Sequence, residues 1–283
     1  MIGGLRELKR DDRDIKFGSI FELGDIKDVP DEFDVCTPLV IKDQKDTDYC
    51  SCFAGTAVSE DQELIELDPL YQYFKTKQIE GNTEWGADLR SMAKSFVKFG
   101  SIEKKDSPFN IDTPRDTILD PKNWMPSFDV KARQHKKDSY AFVSGQYDFF
   151  DNIRLTLWKN KDKRKTIATG IVWDYEWTHA PQGIIDFKGH DAFGHAFKVF
   201  GVRKIKDKLF IKAQLSNGQG IGDNGVFYFS REIINQSEKF GGLSFTDLPI
   251  DTVRYLQDNG YKISDLLFTK YWLQIKNLFR NIL

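Results

Sequence analysis

The apolar pattern of this chain changes its period once, near Asn110, and that change limits the folds open to it. Ahead of it, Leu89, Met92, Ala93, Phe96 and Val97 recur at three-and-four spacing and Gly100 follows as a left-handed cap, which predicts an amphipathic helix. Phe53, Ala57, Val58, Leu64, Ile65 and Leu67 fall near the same spacing, with Pro69 beyond them as a stop, so another helix is expected to begin at Cys52. Behind Asn110 the runs at 140–143, 166–173, 196–202, 209–213 and 226–229 are short and rich in β-branched and aromatic residues, as strands are. Gly222-Asp223-Asn224-Gly225 supplies a tight turn just before the last of them. The expectation is an α+β fold, with a helical subdomain over about 44–115 facing a β-rich subdomain over about 125–235, which the family resemblance given below implies to be barrel-like. A cleft between two such halves is a common place for a site.

Composition sets the remaining bounds. With 283 residues, 40% of them apolar, the chain can bury a full core, and we expect one body over 29–235. Residues 1–28 are charge-dense and read as an extension, a short arm outside the core; 236–283 read as a helical extension. In the latter, Ile263, Leu267, Tyr271, Ile275, Leu278 and Ile282 form a stripe that either packs on the body or docks a protein partner. Forty-one basic against 43 acidic side chains, a net charge of −2, give no field to gather nucleic acid or an anionic membrane. The N-terminus lacks the apolar run of a secretory signal and no stretch of about 18 apolar residues occurs, so a soluble, cytoplasmic protein is expected. The three cysteines, Cys36, Cys50 and Cys52, are odd in number and too few for a disulfide framework, which fits a reducing compartment.

Three residues carry the chemistry. A cysteine in the first turn of a helix meets the positive end of the helix dipole, which favours its thiolate and makes Cys52 a candidate nucleophile. Gln44, just upstream, has a side-chain amide that can join the Cys52 N–H in holding an oxyanion. His195 lies between Gly194 and Ala196 at the start of an expected strand, and its small neighbours leave the ring accessible. Taken alone, Cys52 is better explained as a core cysteine and His195 as a half-buried histidine. Together, an intracellular Cys and a distant His fit a nucleophile and base joined by folding. His135, His179 and His190 show no zinc-site spacing, and the chemistry calls for no metal or organic cofactor.

The same segments, in the same order, resemble the papain-like cysteine peptidase family. Val29-Pro30-Asp31-Glu32-Phe33-Asp34, Ile41-Lys42-Asp43-Gln44 and Cys50-Ser51-Cys52-Phe53-Ala54 are similar to the start of its mature domain. Trp85-Gly86-Ala87, Gly100 and Pro108-Phe109 resemble its substrate-cleft glycines, next helix and following turn. Gly194-His195-Ala196 resembles its histidine strand and Gly222-Asp223-Asn224-Gly225-Val226 its closing turn. From Cys52 to His195 is 195 − 52 = 143 residues, within the family's separation of roughly 130 to 150. The resemblance covers about 29–234 and is nearer the bacterial and phage branch than secreted plant or lysosomal enzymes.

The resemblance implies a papain-like fold and a thiol endopeptidase that acts on peptide or protein substrates. Gly86, Ala87 and Gly194 would offer backbone groups to an extended substrate. Two departures stand out: the loop from Gln44 to Cys52 is two residues longer than usual, and the orienting asparagine is missing. An ungapped count back from Gly222 puts Leu215 at its position; Gln214 substitutes only if the backbone bulges, because a one-residue shift changes face. Asn217 keeps the parity of Leu215 but lies two residues on, and Asp186 and Asp191 are other polar candidates. These gaps, with two missing tryptophans, motivate a rival expectation: a catalytically weakened papain-fold binding or structural protein, for instance in a virion.

Overall fold

The structure, a computed structural model, describes residues 3–9, 11–190 and 192–264. Helix α1 (Cys50–Glu63) starts at Cys50, two residues ahead of the expected position, and closes on Leu64 in the left-handed conformation. Its first twelve residues are all buried: ten are apolar or small, and the carboxylates of Glu60 and Asp61 are taken in paired with Lys42 and Lys198. Pro69 is a start and not a stop. Asp68 accepts from the Leu70 N–H and Pro69 opens α2 (Pro69–Glu80), since the first turn needs no proline N–H. Helix α3 (Leu89–Lys98) is capped by Asp88, which accepts from Ser91 N–H, and is followed by Gly100 at φ +83°. A further helix, α4 (Phe149–Asn160), lies within the stretch read as β-rich; Asp148 caps it and Phe149, Phe150, Ile153 and Leu157 bury its inner side.

Among the described residues eight strands form the sheet: β1 (Phe33–Asp34), β2 (Ser139–Phe142), β3 (Ile167–Trp173), β4 (Ile184–Ile185), β5 (Phe193–Ile205), β6 (Lys208–Gln214), β7 (Val226–Ser230) and β8 (Gly242–Thr246). Their order is β2-β8-β3-β5-β6-β7-β4, with β1 on β5. The sheet is therefore open: its end strands, β2 and β4, do not pair with each other, and the barrel-like closure that the resemblance implied does not form.

Helix α1 packs on β5 and on the α2–α3 pair, so one helix joins the two halves. A buried ion pair pins that junction. Lys198 of β5 reaches Asp61 of α1 at 2.7 Å, Thr166 donates to the same carboxylate at 2.8 Å, and Lys198 and Asp61 are 1% and 0% exposed. Charges this deep are tolerated only when paired and hydrogen-bonded.

The N-terminal arm is not outside the core. Ile15, Phe17 and Ile20 are buried in a small cluster with Ala141 and with Val253 and Leu256 of α5 (Ile250–Asp258). Gln257 fastens it further, accepting from Lys16 N–H at 2.7 Å and donating to Asp14 O at 3.1 Å. Among the described residues no helix is long and apolar enough to cross a membrane. Of the C-terminal stripe, Ile263 packs partly buried on the small cluster, and Leu267 to Ile282 lie outside the described residues.

Candidate active site

Two cysteines share the first turn of α1, and residues two apart on a helix point about 200° from each other. Cys52 turns toward α2, where its Sγ lies 3.5 Å from Thr76 Oγ1, and burial pushes its pKa up to about 12. It does not face the histidine strand. Cys50 does: its thiol lies beside the backbone N–H groups of Ala196, next to His195, and of Gly4. Burial pushes the Cys50 pKa up to about 11, against the pull of those N–H groups. The expected pairing of Cys52 with His195 is thus replaced in the structure by Cys50 with the His195 strand.

His195 is fully buried, and burial lowers its pKa from 6.5 to about 4, with the Asn217 side chain acting in the opposite direction. Trp173 and Phe193 cover the ring edge-on, at centroid distances of 5.8 and 6.3 Å. The aromatic cover therefore comes from β3 and β5, not from the positions where tryptophans were missed. Neither His195 nitrogen nor Asn217 Oδ1 completes a hydrogen bond among the described residues. Such pairs often lie loose in an unliganded site and tighten around substrate.

Strand register explains which amide reaches the ring. Lys198 pairs with Gln214 and Val199 with Ala213, so continuing three places sets Asn217 across from His195. Gln214 belongs instead with Lys198, an odd number of residues from His195 and on the other face. Its amide donates to Val40 O at 2.6 Å, so no bulge turns it to the imidazole. Asp186 pairs with Lys208 at 2.7 Å at the surface, and Asp191 lies outside the described residues.

Gln44 is fully buried and held from three sides. Its backbone N–H donates to Ser216 O at 2.7 Å, its Oε1 accepts from Ser216 Oγ at 2.5 Å, and its Nε2 donates to Thr47 O at 2.8 Å. Thr47 takes one amide hydrogen and leaves the second. Ser216 adjoins Asn217, so the same short segment fixes Gln44 and carries the residue against His195.

The backbone groups expected to bind substrate are already in use by residues 4–6. Leu5 N–H donates to Gly194 O at 3.1 Å, Arg6 N–H to Ala87 O at 3.3 Å, and Ala87 N–H to Gly4 O at 2.8 Å, a parallel bridge. Gly86 takes no part in that pairing: its N–H goes to Asp48 Oδ2 and its carbonyl to Lys77 Nζ. It is nevertheless indispensable as glycine, at φ +69° with Gly4 O only 1.9 Å from where a Cβ would stand. Gly4 is equally confined, since its own Cβ would meet Asp48 O at 2.0 Å. Leu5 is 7% exposed, lies in the same buried cluster as Cys50 and has its side chain against Gly170, while Arg6 pairs with Glu80 and Glu84. Nothing in the composition of 1–28 singles out this stretch as the cover of the site.

No family model and no curated protein sequence matches the chain. Among solved structures, xylellain, a cysteine protease from Xylella fastidiosa, superposes with a TM-score of 0.71 at 18% identity, over 87% of this chain and 96% of its own. Digestive procathepsin L 3 of Tenebrio molitor gives 0.61 at 14% identity, over 83% and 76%. Procathepsin B S9 from Trypanosoma congolense gives 0.60 at 15%, over 88% and 86%. The chain has the papain-like cysteine protease fold, and the bacterial and phage branch is not singled out within it.

Proposed function

We propose that the chain is a thiol hydrolase, a papain-like cysteine endopeptidase, held latent by its own residues 3–9. In this reading Cys50 is the nucleophile and His195 its base. Asn217 holds the imidazole, and the free hydrogen of the Gln44 amide joins the Cys50 N–H at the oxyanion. The observation that carries it is the convergence of the Cys50 thiol and the His195 strand with Gln44 and Asn217, under a peptide segment bonded to Ala87 and Gly194.

The steps follow from those positions. With the arm displaced, water reaches the pair, desolvation is relieved, and the proton of Cys50 passes to His195. The thiolate attacks the carbonyl carbon of a peptide whose backbone bonds to Ala87 and Gly194, and the oxyanion takes the two donors. His195 then gives its proton to the leaving amine and afterwards activates the water that cleaves the thioester.

The decisive experiment maps alkylation by iodoacetamide near pH 6 on the intact chain and on Leu5→Ala, alongside hydrolysis of a fluorogenic peptide. Labelling confined to Cys50, lost in His195→Ala, with hydrolysis abolished by Cys50→Ala and retained by Cys52→Ala, fits the proposal. Equal labelling of all three cysteines would sink it. One observation favours a binding or structural protein: burial keeps Cys50 and His195 neutral in the closed form. That reading predicts no hydrolysis even when Cys50 is fully accessible to the reagent.

A further inference from the structure

Two residues before Cys50, the fully buried carboxylate of Asp48 sits between helix α1 and the Gly86–Ala87 edge. Its Oδ2 accepts from Gly86 N–H at 2.5 Å and from Tyr73 Oη at 2.6 Å, Tyr73 being a residue of α2. Arg115 closes the group from outside. It donates to Tyr73 Oη at 3.1 and 2.9 Å, to Thr83 O at 2.6 Å and to Glu84 O at 3.0 Å, lies 3.6 Å from Asp48 Oδ1, and stacks on Trp85 at 5.4 Å. The loop 83–87 is thus tied at both ends of its turn to the segment that delivers the thiol. No backbone hydrogen bond joins 83–86 to 47–50 directly.

From this juxtaposition we propose that Asp48 is a positioning residue, which sets the distance and register between the Ala87 edge and the Cys50 thiol through Gly86. The proposal rests on the reading of Ala87 as the edge that receives a peptide. A carboxylate suits the task because one oxygen accepts two hydrogen bonds at once while the other faces a guanidinium. With the Gly86 N–H drawn inward by Asp48 and its carbonyl by Lys77, the next residue's N–H and C=O are left outward, as a peptide edge requires. The same clamp serves any occupant of the edge: residues 4–6 in the closed chain, a substrate in the open one.

The test follows hydrogen–deuterium exchange by mass spectrometry in the full chain, on peptides spanning 3–9 and 83–90, for Asp48→Ala, Asp48→Asn and Arg115→Met. Asp48→Ala is expected to raise exchange in both peptides about tenfold or more, with β5 and α1 unchanged. Asp48→Asn should restore most of the protection, because its amide oxygen still accepts from Tyr73 and Gly86. Arg115→Met, which leaves Asp48 in place, gives the same direction more weakly and serves if Asp48→Ala does not fold. In the Leu5→Ala background, Asp48→Ala should raise KM for a fluorogenic peptide about tenfold with kcat changed less than about twofold. Unchanged exchange at 83–90 in both Asp48→Ala and Arg115→Met overturns the proposal whether or not the chain hydrolyses peptides. A fall in kcat alone overturns it too.

Discussion

Leu5→Ala tests the cover over Cys50 most directly. The side chain is 7% exposed, and its Cδ2 fills the space where a Cβ on Gly170 would stand, 1.9 Å away. Truncation to alanine removes three buried carbons but none of the three backbone bonds to Gly194 and Ala87. A buried Leu→Ala change costs about 2–5 kcal/mol; the lower figure applies where the surroundings can relax, as in a segment like 3–9 outside the helices and longer strands. In the proposed latent form residues 3–9 lift without unfolding the body, so about 2 kcal/mol falls on the local opening and raises the open population about 30-fold. At low iodoacetamide, where opening and closing are fast, the alkylation rate of Cys50 follows that population and should rise by the same factor. Cys52 and Cys36 are buried elsewhere and act as internal monitors of global unfolding. A rise below about threefold at Cys50, or an equal rise at Cys52, would refute the reasoning that the arm is what shields the nucleophile.

Asn217→Ala should lower kcat of the opened enzyme at least about tenfold by freeing the imidazole, with Cys50 still alkylated, while Gln214→Ala leaves kcat unchanged; peptide hydrolysis measures both. Asp61→Leu strands the Lys198 ammonium and should cost about 3–5 kcal/mol in urea unfolding, most of it recovered in the double change with Lys198→Met. His195 titrates at about 4 in the closed form against an ordinary 6.5, so the opened or unfolded chain binds the extra proton between those values. Stability of the closed form should therefore fall by up to about 3 kcal/mol as pH drops from 6.5 to 4, a slope that thermal melts would find flattened in His195→Phe. At the alkaline end, Cys50 at about 11 against 9 means that the closed form loses stability as pH rises from 9 toward 11.

How much of this was legible in the sequence differs from residue to residue. The strands, α3 and the start of a helix at the cysteine pair follow from period, caps and turn residues, and His195 from its small neighbours. Choosing between Cys50 and Cys52 needed the helix phase, which a pattern of buried residues on every side does not display. A signal was present: the two-residue excess between Gln44 and Cys52 disappears when Cys50 is taken. A two-residue difference also hid Asn217, because an ungapped count ignores that the loop after it is two residues shorter, whereas pairing from Lys198 and Gln214 finds it. Helix α2 is masked because Pro69 reads as a terminator of α1, although Asp68 before it is already a cap for a new start. That residues 4–6 pair with Ala87 and Gly194 is long-range strand contact, for which a short, charge-dense segment carries no local mark.

The arm and α5 meet in one small core although Ile15 and Val253 stand at opposite ends of the described chain. On a ribosome the arm emerges before the α1–β5 body, and the helix that secures the arm is made after that body. Both halves of the cleft are thus synthesised before that fastening. A nascent or prematurely ended chain that stops short of residue 250 holds the complete pair of halves with its cover tied only by its contacts on the body.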